Sequence, residues 1–427
     1  MEEKMKKFLA LCLALLMVMS LASAAFAADE KVTLTFVEVM TSPERTQIIQ
    51  SFIDKYEEMN PNITVELVSP PYESSETKAA SMLAAGQDVD VVEIRDITVA
   101  GWIQNGFLMN LDQYLADWEG GKEEIIDAAL QAGGSMGDGS YFLPQFLYVK
   151  GLLTRTDILA EHGITEMPKT LDEFYEVCKQ ISDPAAGQYA LALRGIGQPL
   201  RNQESLLICE VPNVSEDNIY FTNDGEFTFA TPEGRKALET YKKIFDECCP
   251  PDSIGWGYNE QINGFVSGTT PFFINDPDSI MSLKGALSDD QYTCIPMPIG
   301  SESGVRYLDY GFTGLAVAAN TQHPDEAVDF FKYMLSAEVN TAICELYGAL
   351  PVNKYAYENS EMFKAPIYEA WASEMSDAQT AYTRFPVEEP KYAEYANSVH
   401  LSAYQSYLLG EISIDDYINT VKDFWTE

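Results

Sequence analysis

Histidine is nearly absent. The chain has three in 427 residues, His162, His323 and His400. None has a second histidine or a cysteine at the helical spacing a metal site uses, and no metal or cofactor is expected. Positive charge is also scarce: 27 Lys and Arg stand against 66 Asp and Glu, a formal charge of −39. A surface of that sign repels phosphate backbones and anionic lipid, which argues against nucleic-acid binding and against unaided adsorption to membranes. No Walker A sequence occurs, and no Gly-x-Gly-x-x-Gly follows a strand pattern. Residues 133–137, GGSMG, satisfy Gly-x-Ser-x-Gly. A nucleophile elbow needs a strand before the serine and a helix after it; here a helical pattern precedes and a turn follows, so the match is read as chance. Cys-x-x-Cys is missing as well, which removes zinc ribbons and thioredoxin-like redox motifs.

Long apolar runs are confined to the N-terminus. Lys6 and Lys7 precede a charge-free stretch from Phe8 to Ala28, and Ala25-Phe26-Ala27 fits the small-x-small rule for signal cleavage. Cleavage after Ala27 and export to the periplasm or the outer face of the cell membrane are expected. The alternatives are an uncleaved anchor and lipidation at Cys12, where Leu11 stands in place of the usual small residue. Beyond residue 27 six cysteines remain, an even number compatible with disulfides but without a framework spacing. Cys178 is in phase with Leu171, Phe174 and Ile181, so a buried free thiol is expected there.

The rest is well supplied with periodic segments. "VTLTFVEV" alternates like a strand, and "ERTQIIQSFIDKYEEMNP" sets Ile48, Ile49, Phe52, Ile53 and Tyr56 on one helical face. "ITVELV" is a second strand. Residues 74–85 form a helix closed by Gly86, "DVVEI" is a buried strand, and a further helix ends near Gly106. This alternation predicts an α/β fold with a doubly wound sheet, whose ligands sit beyond the carboxyl ends of its strands. Glu38, Arg95 and Asp96 occupy two such ends. Further on, a helix capped by Thr170, a hairpin turning at Asn223-Asp224-Gly225, a helix opening at Thr231-Pro232 and a closing amphipathic helix over "SIDDYINTVKDFW" are expected.

Six blocks carry a resemblance when read in order: "IIQSFIDKYEEMNPNITVELV", "DVVEIRDITVAGWIQNGFLMNLDQYL", "GSYFLPQFLYVKGLLTRTDILAEHGITEMPKTLDEF", "FVSGTTPFFINDPDSIMSLK", "DYGFTGLAVAANTQHPDEAVDFFKYML" and "LLGEISIDDYI". Together they resemble the extracellular solute-binding proteins of ATP-driven bacterial importers, the group that includes maltose-binding protein. The resemblance implies two α/β lobes joined by hinge strands. One lobe would take about residues 28–145 plus 298–350 and the other about 146–297 plus 351–427. It implies a monomeric, non-enzymatic receptor that captures a small solute, a sugar before others, by hinge closure and delivers it to membrane permease subunits. A non-sugar, cationic solute is the alternative within binding proteins, and a secreted glycan hydrolase is the alternative outside them.

The stretch "FFINDPDSI" poses the sharpest question about the site. Its apolar run ends at Asn275, and Asp276 and Asp278 flank Pro277. Asp276 suits a helix N-cap ahead of Pro277. In the resembling block glycine usually stands at Asp276 and a ligand-stacking tryptophan at Asp278, and this chain departs at both. Trp256, flanked by glycines, offers another aromatic platform. Tyr148 follows the first implied hinge, Tyr310 and Phe312 lie near the second, and Arg384 falls where relatives approach ligand. These residues, with Glu38, Arg95, Asp96 and Asn275, are the candidate ligand-binding set.

Overall fold

The computed structural model describes residues 31–426 apart from 119–120, 122, 128, 131–138, 197–198, 310, 388 and 390. The expected signal segment, the GGSMG stretch and Tyr310 therefore lie outside the described residues. Two compact units are present among the described residues, one holding residues 31–93 with Val317–Met334, the other Ile94–Ala316 with residues 335–426.

In the smaller unit, strand Val32–Val37 pairs in parallel with Ile63–Val68 and with the start of Val91–Arg95. Helix Pro43–Met59 begins where Ser42 accepts the Arg45 amide and Pro43 supplies a preset φ. The expected face is buried at Ile49, Phe52, Ile53 and Tyr56. Arg45, one turn before Ile49, is buried too, because its guanidinium is held by two buried carboxylates, Glu38 and Glu93. Tyr56 and Tyr333 crowd Phe330 from the last helix of the unit.

The larger unit is built on short strand ladders, most of them antiparallel. Strand Phe142–Tyr148 pairs with Gly311–Val317 and with Leu350–Pro351. Strand Gly151–Thr154 is flanked by Phe272–Asn275 and Thr293–Ile295. Arg306–Asp309 runs parallel to Thr380–Thr383. One continuous apolar core underlies the last two of these, including Leu152, Phe174, Tyr220, Phe272, Tyr395 and Tyr417. Helix Leu171–Ile181 opens with a complete capping box between Thr170 and Glu173, and Cys178 is buried in the expected stripe. All six cysteines beyond the N-terminal segment are buried free thiols.

Two local expectations differ from the structure. Residues 219–230 do not form a two-stranded hairpin; they hold a single bridge, Phe221 to Phe227, and a 3-10 turn over Thr228–Ala230. Ile219, Tyr220, Phe227 and Phe229 are all buried, so neither arm presents the solvent face that alternation assumes. The Thr228 hydroxyl donates to the Ile219 carbonyl instead of leaving it to a ladder. Asp276 does not cap a helix with its side chain either. The helix starts later, at Ser279–Leu283, and the Asp276 carbonyl accepts from the Ser279 amide and hydroxyl.

Candidate functional site

Strand register assembles a charged site in the larger unit. Gly151 pairs with Asn275 across an antiparallel ladder, so Lys150 and Asp276, one residue beyond each partner, face one another. Lys150 Nζ reaches Asp276 Oδ2 at 2.6 Å. The other Asp276 oxygen, Oδ1, is buried without a hydrogen-bond partner. Asn275 supports this corner from below. It is buried, donates to Gln261 Oε1 at 3.1 Å, and accepts the Asp276 amide at 2.9 Å.

A second ion group lies at the ends of other elements. Helix Pro199–Leu207 carries Arg201, whose guanidinium meets Asp96 Oδ2 at 2.7 Å and Asp309 Oδ2 at 3.6 Å. Asp96 opens helix Asp96–Gln104, where a carboxylate also complements the free amides and dipole. Asp309 ends strand Arg306–Asp309. The Arg201 guanidinium lies 4.9 Å from the centroid of the Phe385 ring, a cation–π contact that fixes its plane. Gly311 leaves room for it: a Cβ there would stand 3.3 Å from Arg201 Nη1 and 3.3 Å from Tyr148 Cβ. Tyr148 is thereby placed beside the Arg201 group.

Electrostatics join the two groups. Burial pushes the Asp309 carboxyl up to about 6; Arg201 opposes the rise, the Asp96 and Asp276 charges add to it, and Lys150 is near enough to lower it. Desolvation also raises Asp278, helped by the Asp276 charge and opposed by Lys150 and Arg194. Tyr258 completes this end. Its hydroxyl shares a hydrogen bond with Ser282 at 2.9 Å, and Arg194 lies 5.8 Å from its ring centroid. Burial and the Asp278 charge push the Tyr258 phenol up to about 12. The result is four carboxylates interleaved with three cations and bordered by tyrosine rings.

Behind Arg201, on the same helix, Glu204 is buried against His400, with Oε1 3.1 Å from Nδ1. The His400 Nε2 lies 2.7 Å from the Tyr417 hydroxyl. Burial lifts the Glu204 carboxyl to about 8 and presses the His400 imidazole to about 3. The geometry alone resembles a salt bridge, but desolvation of both partners favours a neutral pair, and among the described residues neither Glu204 Oε1 nor His400 Nδ1 has a hydrogen-bond partner.

The structure thus brings Asp96, Asn275, Asp276, Asp278 and Tyr148 together. Arg95 is the half-buried residue preceding helix Asp96–Gln104. The other described candidates have the following partners. Glu38 is buried, with Arg45 at 2.6 Å and hydroxyl donors Thr46 and Ser69 at 2.8 and 2.7 Å. Phe312 is buried and stacked on Phe142 with centroids 5.2 Å apart. Trp256 packs over Gly264, where a Cβ would come within 2.9 Å of the indole, and its N–H donates to Asp252 at 3.2 Å. Arg384 pairs with exposed Asp217 at 3.3 Å. Sequence reasoning missed Lys150, Arg201, Asp309 and Arg194. Only Lys150 carried a signal, its place two residues after Tyr148 at an implied hinge.

Among the described residues no His, Cys, Asp and Glu side chains group as a metal site, and no helix is long and apolar enough to cross a membrane.

Comparison with known proteins agrees with the fold. Residues 41–341 match the family described as bacterial extracellular solute-binding protein. A putative ABC transporter periplasmic-binding protein of Escherichia coli, YcjN, is 24% identical over 347 residues, 76% of this chain and 74% of that protein. The maltotriose-binding protein of Pyrococcus abyssi is 25% identical over 332 residues, covering 76% and 68% of the two chains. The sugar-binding protein MalE of Xanthomonas citri superposes with a TM-score of 0.76 at 17% identity, covering 92% of this chain and 96% of that one. The architecture is that of the two-lobed periplasmic binding proteins. With more than half its length matched, the chain belongs to the bacterial extracellular solute-binding protein family.

Proposed function

We propose that this chain is the receptor of an ATP-driven importer and that its ligand is a neutral polyhydroxylated molecule, a sugar or polyol, bound at the Asp96–Arg201–Asp309 and Lys150–Asp276–Asp278 groups. One observation carries the reading: cations and carboxylates pair at ion-pair distance across the site, 2.6 Å for Lys150–Asp276, 2.7 Å for Arg201–Asp96 and 3.6 Å for Arg201–Asp309. A hydroxyl both donates and accepts, so neighbouring hydroxyls can donate to a carboxylate while accepting from the cation paired with it. Tyr148 and Tyr258 supply ring faces for the apolar side of a sugar. The maltotriose-binding and MalE relatives support the same ligand class. The mechanism is non-covalent: a ligand that contacts one conformation better than another shifts the protein toward it. Delivery to permease subunits outside the cell and a monomeric state complete the proposal.

Calorimetry with a panel of sugars and polyols tests it. A saturable heat is expected for at least one member. Lys150→Ala should weaken that binding by about 1.5–3 kcal/mol, the size of a charge-assisted hydrogen bond. Small-angle scattering should register a change on saturation. Heats seen only with amines, or turnover of a glycan after long incubation, would overturn the proposal.

A further inference from the structure

Of the four carboxylates in the charged site, three have a donor close by. Asp96 Oδ2 stands 2.7 Å from Arg201, Asp276 Oδ2 stands 2.6 Å from Lys150, and Asp278 has the Ser279 amide beside it. Asp309 differs. Its nearest cation is Arg201, 3.6 Å from Oδ2, beyond the range of about 2.7–3.2 Å for an N–H···O bond. Among the described residues no other donor reaches its carboxylate. Arg201 is held where it is by Asp96 and by the Phe385 ring, 4.9 Å from the guanidinium. The Asp309 side chain keeps 8% of its surface accessible, and neither oxygen is sealed from solvent. A carboxylate this deeply buried normally has its hydrogen bonds filled, so a reachable one without a donor is an acceptor for a ligand.

We propose that Asp309 couples capture of a neutral hydroxyl ligand to pH: a ligand hydroxyl donates to the ionised carboxylate, and any proton the carboxyl carries leaves to solvent as the ligand enters. The inference rests on the sugar or polyol reading of the site and adds the proton to it. No covalent bond to carbon forms or breaks. The ionised form is the one selected because a charged acceptor makes the stronger hydrogen bond. Several groups face Asp309. Arg201 and Glu204 come from helix Pro199–Leu207, Asp96 from helix Asp96–Gln104, Tyr392 from the turn after Phe385, and Lys150 with Asp276 from the neighbouring corner. Thr383, its partner on the adjacent strand, donates its hydroxyl to the Ser215 carbonyl. Arg201 and Lys150 favour the ionised form, burial and the charges of Asp96 and Asp276 favour the proton, and the balance leaves the carboxyl at about 6. Glucose-like and alditol hydroxyls stay neutral in that range, so the proton that moves belongs to the protein.

Calorimetry tests the proposal. Glucose, maltotriose, D-mannitol and ribitol are titrated at pH 7.5, and the tightest binder serves as the probe. Its affinity should fall about tenfold between pH 7.5 and pH 5, the loss set by a carboxyl at about 6. At pH 6 the heats in phosphate and in Bis-Tris should differ by an amount equal to the release of about half a proton per bound molecule. Asp309→Asn should bind the probe more weakly at pH 7.5 and lose both the slope and the buffer difference. Asp278→Asn should keep most of that difference. Affinity independent of pH, uptake of a proton, or a buffer difference that survives Asp309→Asn would overturn the inference and leave the sugar reading standing. The wild-type buffer comparison decides on its own if the variant does not fold. No heat from any panel member at either pH would remove the sugar reading, and the inference with it.

Discussion

Asp309 is the residue where binding and stability pull apart. Its carboxyl sits at about 6 in the folded protein against an ordinary 3.8, because burial outweighs the help of Arg201. A carboxyl raised in this way favours folding while protonated, and that contribution is lost as pH rises from about 4 through 6. At neutral pH the charge is a cost to the fold, and on the proposed function a ligand hydroxyl that donates to it offsets that cost. Asp309→Asn should therefore raise the melting temperature of the ligand-free protein at pH 7.5, by an amount on the order of 1–3 kcal/mol, and lower sugar affinity. The stability difference should close at pH 4, where wild type is itself neutral; thermal melts at both pH values check it. Trp256→Ala should behave in the opposite manner, costing apo stability because the indole covers Gly264 and bonds Asp252. Asp276 and Asp278 stood out in the sequence because they end an apolar strand pattern where the resembling block carries glycine and tryptophan. Arg201 and Asp309 did not. In a chain with 66 acids and 27 bases, a charged residue has no local mark that separates a site from a solvated face. Only the closing of strands and helices far apart in sequence makes the distinction.

Local chemistry set the helix starts more faithfully than the strands. Thr231 accepts the Gly234 amide at 3.0 Å with Pro232 in the first helical position, as the sequence implied. Thr231→Ala should cost about 1 kcal/mol in urea unfolding, the usual worth of such a cap. Gly234→Ala should cost considerably more. A Cβ at Gly234 would stand 2.1 Å from the Thr228 carbonyl oxygen, which is backbone and cannot swing aside. The turn over Thr228–Ala230 would have to lift from helix Pro232–Cys248. That same turn defeated the hairpin expectation. A glycine turn between apolar arms signals two strands only when one face of each arm remains in water, and here the core claims both. The cap assigned to Asp276 failed for a related reason. Its carboxylate had a stronger partner in Lys150, supplied by a strand whose register no local pattern reveals.

For the molecule as a whole, buried acids give an unusual pH dependence. Glu204 and Glu374 stand at about 8 against an ordinary 4.5, and Asp309 at about 6, each raised chiefly by burial. Each stabilises the fold fully below its unfolded value, and the contribution disappears as pH climbs through the folded one. His400 acts in the other direction. Pressed from 6.5 to about 3, it stabilises above 6.5, and the contribution is lost as the medium acidifies. From pH 8 to 6.5 the two glutamates therefore gain stability on acidification with nothing opposing them. From 6.5 to about 4.5 Asp309 and Asp278 join them, and four groups outweigh one. The ligand-free protein should melt several degrees higher near pH 5 than at pH 8, since each net proton is worth about 1.4 kcal/mol per pH unit. The formal charge of −39 produces a trend of the same sign through mutual repulsion of surface acids. Salt separates the two causes, because it screens exposed charges and leaves buried ones largely untouched. Melting curves from pH 4.5 to 8 in about 0.5 M salt should keep most of the slope, and Glu204→Gln should flatten it. A profile that becomes level in salt would assign the effect to the surface and remove the buried acids from the explanation.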